Sequence, residues 1–88
     1  MINYYSKIGD IELSFSNIQR DKNEFENIMA RFERPIDGGF DYSEWKLPSI
    51  TNIKAFVFSE SEVMEQERYL RNNLTLIWEI ARENSNVS

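Results

Sequence analysis

The side chains of this sequence that could carry acid–base chemistry are the carboxylates of Asp37, Asp41 and Glu44, which lie beside Tyr42 and Trp45. Paired carboxylates can act as general acid and base, and carboxylates next to aromatic rings are typical of glycosidase subsites. Solvated turns, and a short helical turn capped by Asp41, explain the same residues. Because a chain of 88 residues seldom forms the deep cleft that such an enzyme needs, we predict no catalytic site.

Two residue types that serve much of enzyme chemistry, histidine and cysteine, are missing from the sequence. Without histidine, the commonest general base and metal ligand is absent. Without cysteine, thiolate catalysis, cysteine-type zinc sites and iron–sulfur ligation are excluded. Gly38-Gly39 lacks the G-K-[ST] continuation of a phosphate-binding loop, and the nearby acidic residues have the wrong spacing for a calcium loop. We therefore predict a protein that is not an enzyme and that has no metal and no cofactor.

The composition indicates one globular domain, which we place at residues 1–84, followed by a frayed polar tail at 85–88. The sequence is 41% hydrophobic and 14% aromatic, which is typical of a folded chain. No apolar run approaches the ~20 residues that a membrane span requires. The lack of cysteine and of a secretion signal at the amino terminus predicts a cytoplasmic location.

The formal charge of −5, from 15 acidic and 10 basic residues, argues against unaided binding to nucleic acid or to an anionic membrane. It is compatible with a basic protein partner. Small acidic domains without cysteine include inhibitors, antitoxins and immunity proteins, a likeness of size and charge alone. Arg68, Arg71 and Arg82 share a sector of the terminal helix with acidic residues. They leave one alternative open, a dimeric nucleic-acid-associated regulator.

The first element predicted is a β-hairpin of Ile2–Ile8 and Ile11–Phe15, because Gly9-Asp10 suits a two-residue type II′ turn. In this register Lys7 faces Glu12 and Tyr4 faces Phe15. One face of the hairpin then carries all the apolar side chains, namely Ile2, Tyr4, Ile8, Ile11, Leu13 and Phe15.

A helix is predicted from Lys22 to Arg34, capped at Asp21 and ended by Pro35. Its apolar side chains follow helical spacing: Phe25, Ile28, Met29 and Phe32. The aromatic segment that follows either closes the core or presents Tyr42 and Trp45 to a partner. Residues 50–58 are predicted as a third strand with apolar side chains on both faces, of which helices cover one and leave the other short of cover.

The chain is organised around a long terminal helix, predicted at Glu60–Arg82 behind an S-x-x-E capping box formed by Ser59 and Glu62. One face of this helix is formed by Val63, Leu70, Leu74, Ile77, Trp78 and Ala81. A second apolar face is formed by Tyr69, Leu76 and Ile80. This second face either belongs to the same core or forms an interface with another chain.

These elements predict an α+β fold of order ββαβα, in which a three-stranded antiparallel sheet packs against two helices and the C-terminal helix is long. We expect a protein-interaction module without catalytic activity that forms a homodimer, or that inhibits or regulates another protein. The predicted partner-binding residues are Tyr42, Trp45, Tyr69, Leu76 and Ile80. No interaction with a membrane is expected.

Overall fold

The computed structural model describes residues 2–85, which form one antiparallel sheet and one long helix. The strands are β1 (Ile2–Ile8), β2 (Ile11–Ser16), β3 (Gln19–Arg20), β4 (Glu26–Ile36), β5 (Gly39–Leu47) and β6 (Thr51–Phe56), and the helix is α1 (Glu60–Ser85). The sheet has the order β1-β2-β4-β5-β6, and the short β3 pairs with β4. The predicted fold, three strands against two helices, is therefore wrong. Residues 86–88 of the predicted tail lie outside the described residues.

The predicted helix Lys22–Arg34 is replaced by a turn and by β4, the central strand of the sheet. Asp21 accepts hydrogen bonds from the backbone amides of Asn23 and Phe25, and Glu24 has a φ of 69°, so no helix begins there. Residues four apart share a face in a strand as well as in a helix. The pair Ile28 and Phe32 therefore fits both structures. Ala30, which lies between them, is buried as well. Burial of every second residue is the pattern of a strand.

The predicted hairpin is confirmed, with one error in its register. Gly9 has the positive φ of 60° that the turn requires, and Ile8, Lys7 and Ser6 pair with Ile11, Glu12 and Leu13 as expected. A β-bulge between Tyr4 and Ser6 then shifts the pairing, so that Tyr4 lies opposite Ser14 instead of Phe15. An extra residue in one strand reverses the faces beyond it. The predicted common face of Tyr4 and Phe15 is consequently wrong.

The aromatic segment 39–47 forms β5, not an irregular segment with a helical turn at Asp41. Its side chains alternate strictly, because Asp41, Ser43, Trp45 and Leu47 are buried while the residues between them are partly exposed. The third predicted strand exists as β6. The helix cover expected on one of its faces is wrong, since every residue of β6 is exposed at the edge of the sheet.

Helix α1 covers one face of the sheet and completes the core. The capping box is confirmed: the Glu62 amide donates to Ser59 Oγ (3.2 Å) and the Ser59 amide donates to Glu62 Oε1 (3.0 Å). The fully buried apolar residues are Leu13, Phe15, Ile28, Ala30, Phe32, Trp45 and Leu47 of the sheet and Leu70, Ile77 and Ala81 of the helix. The predicted first face of the helix is thus the face that packs on the sheet.

Within residues 2–85, the other face of the sheet has no helix over it and carries rows of charged side chains. One row runs across β2, β4, β5 and β6 and contains Ser14, Arg31, Glu44 and Lys54. Arg31 lies 3.5 Å from Glu44, so opposite charges alternate along the row. An antiparallel sheet with one packed and one charged face is stable in water.

Antiparallel strands place the connections of this fold at two opposite ends. The turn at 9–10, the turn at 37–38, the connection 57–59 and the start of α1 lie at one end, which we call the acidic end. An ion pair of Arg34 with Glu62 (2.7 Å) joins the end of β4 to the start of α1 there. At the opposite end, Arg82 pairs with Glu26 (2.7 Å).

Candidate functional site

The acidic end concentrates negative charge. Its carboxylates are Asp10, Asp37, Glu60, Glu62 and Glu65. The basic residues of this end are Lys7, which lies opposite Glu12, and Arg34. Arg34 donates hydrogen bonds to both Asp41 (2.8 Å) and Glu62 (2.7 Å), so its charge is already neutralised. Acidic residues in the first turn of α1 are favoured by the helix dipole.

Exposed apolar side chains gather at the same end. Of the eleven large apolar residues that are exposed among residues 2–85, six lie there: Ile8, Ile36, Phe40, Phe56, Val57 and Met64. The rings of Phe56 and Tyr42 stack with their centroids 5.6 Å apart. Exposed apolar side chains concentrated on one part of a protein surface are typical of interaction sites.

The backbone is strained at Val57, which follows the edge strand β6 at this end. Its φ of 73° lies in the left-handed region, which a β-branched residue rarely adopts. Such a conformation costs about 1–3 kcal/mol. The Val57 side chain is 63% exposed, so packing offsets little of this strain. Ile50, at the other end of β6, has a φ of 56° but packs against the core. Strain without compensating packing is found preferentially at functional sites.

Two clusters of hydrogen-bonded polar side chains lie beneath the acidic end, between α1 and β5. Ser43 accepts a hydrogen bond from Trp45 Nε1 (3.0 Å) and donates one to Gln66 Oε1 (2.6 Å). The other polar group is the cluster of Arg34, Asp41 and Glu62 described above. Asp41 Oδ1 and Gln66 Nε2 are buried and have no hydrogen-bond partner among the described residues. The hydrogen bonds of Ser43 with Gln66 and of Arg34 with Glu62 join the sheet to the start of α1.

The charges of the Arg34–Glu62 pair are fixed at neutral pH. The Ser59 amide, and then the Arg34 guanidinium, hold the pKa of Glu62 below its ordinary value of 4.5. Hydrogen bonds to Asp41 and Glu62 raise the pKa of Arg34 above its ordinary value. Both groups therefore stay charged near neutral pH, and the ion pair holds β4 to α1 instead of transferring protons.

A cavity of about 220 Å³ opens beside this cluster, between the tip of the β1–β2 hairpin and the start of α1. Its lining residues are Ile8, Ile11, Phe32, Glu62, Glu65, Gln66 and Tyr69. The Tyr69 hydroxyl is hydrogen-bonded to Ser6 Oγ (2.8 Å), which fixes the position of the ring. The volume is below the ~300–1,000 Å³ of small-molecule sites, so it suits a single side chain.

The residues predicted to bind a partner do not form one surface. Trp45 is only 1% exposed and belongs to the core under α1. Tyr69 and Ile80 also pack against the core, whereas Leu76 is half-exposed on the helix. Tyr42 lies on the uncovered face of the sheet, where the Arg31 guanidinium is 4.2 Å from its ring centroid.

The carboxylates considered for acid–base chemistry are likewise separated. Asp41 points toward α1 and pairs with Arg34, while Glu44 lies on the other face of the sheet beside Arg31. Among the arginines considered for nucleic acid, Arg71 pairs with Glu67 (3.3 Å) and Arg82 with Glu26. That alternative remains a prediction.

The sequence alone did not indicate the acidic end, because its residues come from four separate segments of the chain. One local signal existed, namely the Gly9-Asp10 and Asp37-Gly38 dipeptides, each of which indicates a tight turn bearing an acid. The strand order that brings these turns to the same end was not predicted.

Comparison with known proteins supplies no relative, since no family model, no curated protein and no solved structure gives a significant match to the chain. Within residues 2–85, the helix is not apolar enough to cross a membrane. The same part of the chain contains no group of three acidic, histidine or cysteine side chains placed to hold a metal ion.

Proposed function

We propose that this protein is a binding module without catalytic activity, and that its acidic end docks on a basic partner protein. The observation that carries this proposal is the coincidence of carboxylates and exposed apolar side chains at one end of the molecule. Apolar side chains supply the core of an interface, and complementary charge at its rim accelerates and orients association. The cysteine-free sequence supports a reducing, cytoplasmic setting.

Charge favours a different protein over a second copy as the occupant of this surface. Two acidic ends facing each other would bring Asp10, Asp37 and Glu60 of both copies together, and like charges across an interface disfavour association. A basic partner gains from the same residues. A protein bound over a basic surface blocks it, which fits the role of an inhibitor or regulator.

The dimensions support a standard interface. The Cα atoms span 37 × 23 × 23 Å, and the long dimension matches the ~39 Å expected of a 26-residue helix. The acidic end is thus about 23 Å across before side chains are added. Such an end offers an area of the order of the ~800 Å² that each partner buries in a standard complex.

Site-specific photocrosslinking in cells that make this protein tests the proposal. A photoreactive benzophenone amino acid replaces Phe40 or Phe56 at the acidic end. The control position is Tyr4, which lies on the same face of the sheet but away from the acidic end. All three side chains are at least half-exposed. We expect one basic protein, identified by mass spectrometry, to be crosslinked from the first two positions and not from Tyr4. Equal crosslinking from Tyr4, or crosslinking to a second copy only, would contradict the proposal.

Affinity measurements with the captured protein give a second test. Val57→Asn removes an exposed apolar side chain, while asparagine tolerates the left-handed backbone, so the fold is retained. Because burying a valine is worth about 1.5–3 kcal/mol, we expect binding to weaken about tenfold or more. Phe25→Asn, an exposed aromatic at the opposite end, is the matched control and should bind like the parent.

Self-association through β6 is a second candidate, favoured by one observation. All six residues of this edge strand are exposed, and Lys54 is its single charged residue. Edge strands of natural proteins are usually protected by charge, proline or cover, because their free backbone groups pair readily with another strand. Two copies of β6 can pair in antiparallel fashion about a two-fold axis.

A further inference from the structure

We propose that the cavity of about 220 Å³ at the acidic end receives one arginine side chain of the partner. This inference rests on the proposed function, because it names the group by which the basic partner is recognised. The walls formed by Ile8, Ile11 and Phe32 are apolar, whereas Glu62 and Glu65 carry negative charge beside them. An occupant that matches both needs an apolar stem and a cationic tip.

Glu65 is the carboxylate available to such a tip. Glu62 is already held by Arg34 and by the Ser59 amide. Glu65 has no ion-pair partner within the part of the chain that the structure describes, and it is exposed to solvent. Arginine buries its aliphatic stem along apolar surface and keeps its charged head at the rim. Its planar guanidinium binds a carboxylate in a bidentate manner and stacks on aromatic rings such as that of Tyr69.

The protein holds one of its own arginines in a comparable way at the same end. The Arg34 guanidinium lies 4.9 Å from the ring centroid of Phe58 and donates to the carboxylates of Asp41 and Glu62. The cavity offers the same two elements, an aromatic ring and a carboxylate, in Tyr69 and Glu65. A lysine ammonium lacks the planar fork, and an apolar anchor would leave Glu65 without a partner.

Titration of the ¹⁵N-labelled protein with N-acetyl-arginine amide at constant ionic strength tests this assignment. The matched probes are the amides of N-acetyl-citrulline, which has nearly the same shape without the charge, N-acetyl-lysine with a free side-chain amine, and N-acetyl-norleucine. We expect saturable shifts of the Phe32, Gln66 and Tyr69 amide signals, with arginine binding at least about fivefold more tightly than any other probe. Equal binding of lysine, citrulline or norleucine, or no saturable shift, would overturn the assignment.

Two variants locate the binding. Ile8→Trp fills the mouth of the cavity and should abolish the shifts, while Glu65→Gln should weaken arginine binding about twofold to fivefold, as for an exposed ion pair. Glu79→Gln, a glutamate elsewhere on α1, is the control and should bind like the parent. Unchanged binding in both test variants overturns the inference. If Phe40 and Phe56 crosslink a basic protein while arginine leaves the cavity signals unchanged, the inference fails and the proposed function stands.

Discussion

At the residue scale, single residues decide two of the local structures that build the acidic end. Gly9 turns the chain from β1 into β2 with a φ of 60°, and Ser59 begins α1 by exchanging hydrogen bonds with Glu62. Both residues act through the backbone and contribute little apolar contact. Substitutions at these positions therefore report on conformation more than on packing.

Gly9→Val should destabilise the protein by about 1–3 kcal/mol, because a β-branched residue resists a left-handed backbone. The measurement is the free energy of unfolding from denaturant melts. Gly39→Val is the matched control: this glycine does not have a positive φ, and a Cβ atom there meets nothing within 4 Å. Equal losses in the two variants would show that the turn at Gly9 tolerates side chains.

Ser59→Ala should lower the free energy of unfolding by about 0.5–2 kcal/mol through loss of the helix cap. Thr75→Ala, at an exposed position within α1, serves as the control and should cost nothing, since alanine is the better helix former. If the Ser59→Ala variant unfolds like the parent, the capping box does not contribute to the stability of the protein.

At the element scale, Arg34 links β4, β5 and α1. It lies directly opposite Asp41 across the β4–β5 pair and reaches Glu62 on the helix. Arg34→Met leaves the Asp41 carboxylate, only 3% exposed, without its cation, so we expect a loss of about 3–5 kcal/mol. Arg31→Met, on the solvent face of the same strand, should cost about 1 kcal/mol or less. Similar losses of stability at both positions would contradict the proposed importance of the ion pair between Arg34 and the buried Asp41.

The pH dependence of stability follows from the same cluster. Because the pKa of Glu62 in the folded protein lies below its ordinary value of 4.5, the folded state binds this proton less readily than the unfolded chain. The resulting stabilisation is complete above the ordinary value and is lost as the pH falls through the folded pKa. Glu62→Gln should therefore lose less stability on acidification than the parent. Identical slopes below pH 4.5 would refute this assignment.

At the scale of the whole molecule, two exposed regions could form a contact between copies, the edge strand β6 and the outer face of α1, and substitutions distinguish them. If β6 edges pair, sedimentation velocity should show a dimer that Ile53→Lys dissociates, because the substitution places a charge on the exposed edge strand. Leu76→Glu should leave that dimer intact, since Leu76 is half-exposed on α1 and is not part of the edge strand. Dissociation by Leu76→Glu alone would place the interface on α1, and a monomeric parent would exclude this candidate.

The elements that the sequence determined by itself are those in which neighbouring residues make the decisive contacts. The β1–β2 hairpin follows from Gly9-Asp10 between alternating strands, and α1 follows from its capping box and its apolar face. The absence of histidine and cysteine likewise limits the chemistry without reference to structure. For Trp45 the sequence left open whether the side chain closes the core or faces a partner, because its segment was not recognised as a strand, and in the structure it is buried.

Tertiary structure decided the rest. The segment 26–36 has apolar residues that suit a helix as well as a strand, and pairing with β2 and β5 along both of its edges selects the strand. That choice in turn brings the turns at 9–10 and 37–38 to the start of α1 and creates the acidic end. Such pairing joins residues that are far apart in the sequence. A short stretch of sequence therefore does not contain the stabilisation that the pairing provides, and this stabilisation outweighs the local preference for a helix.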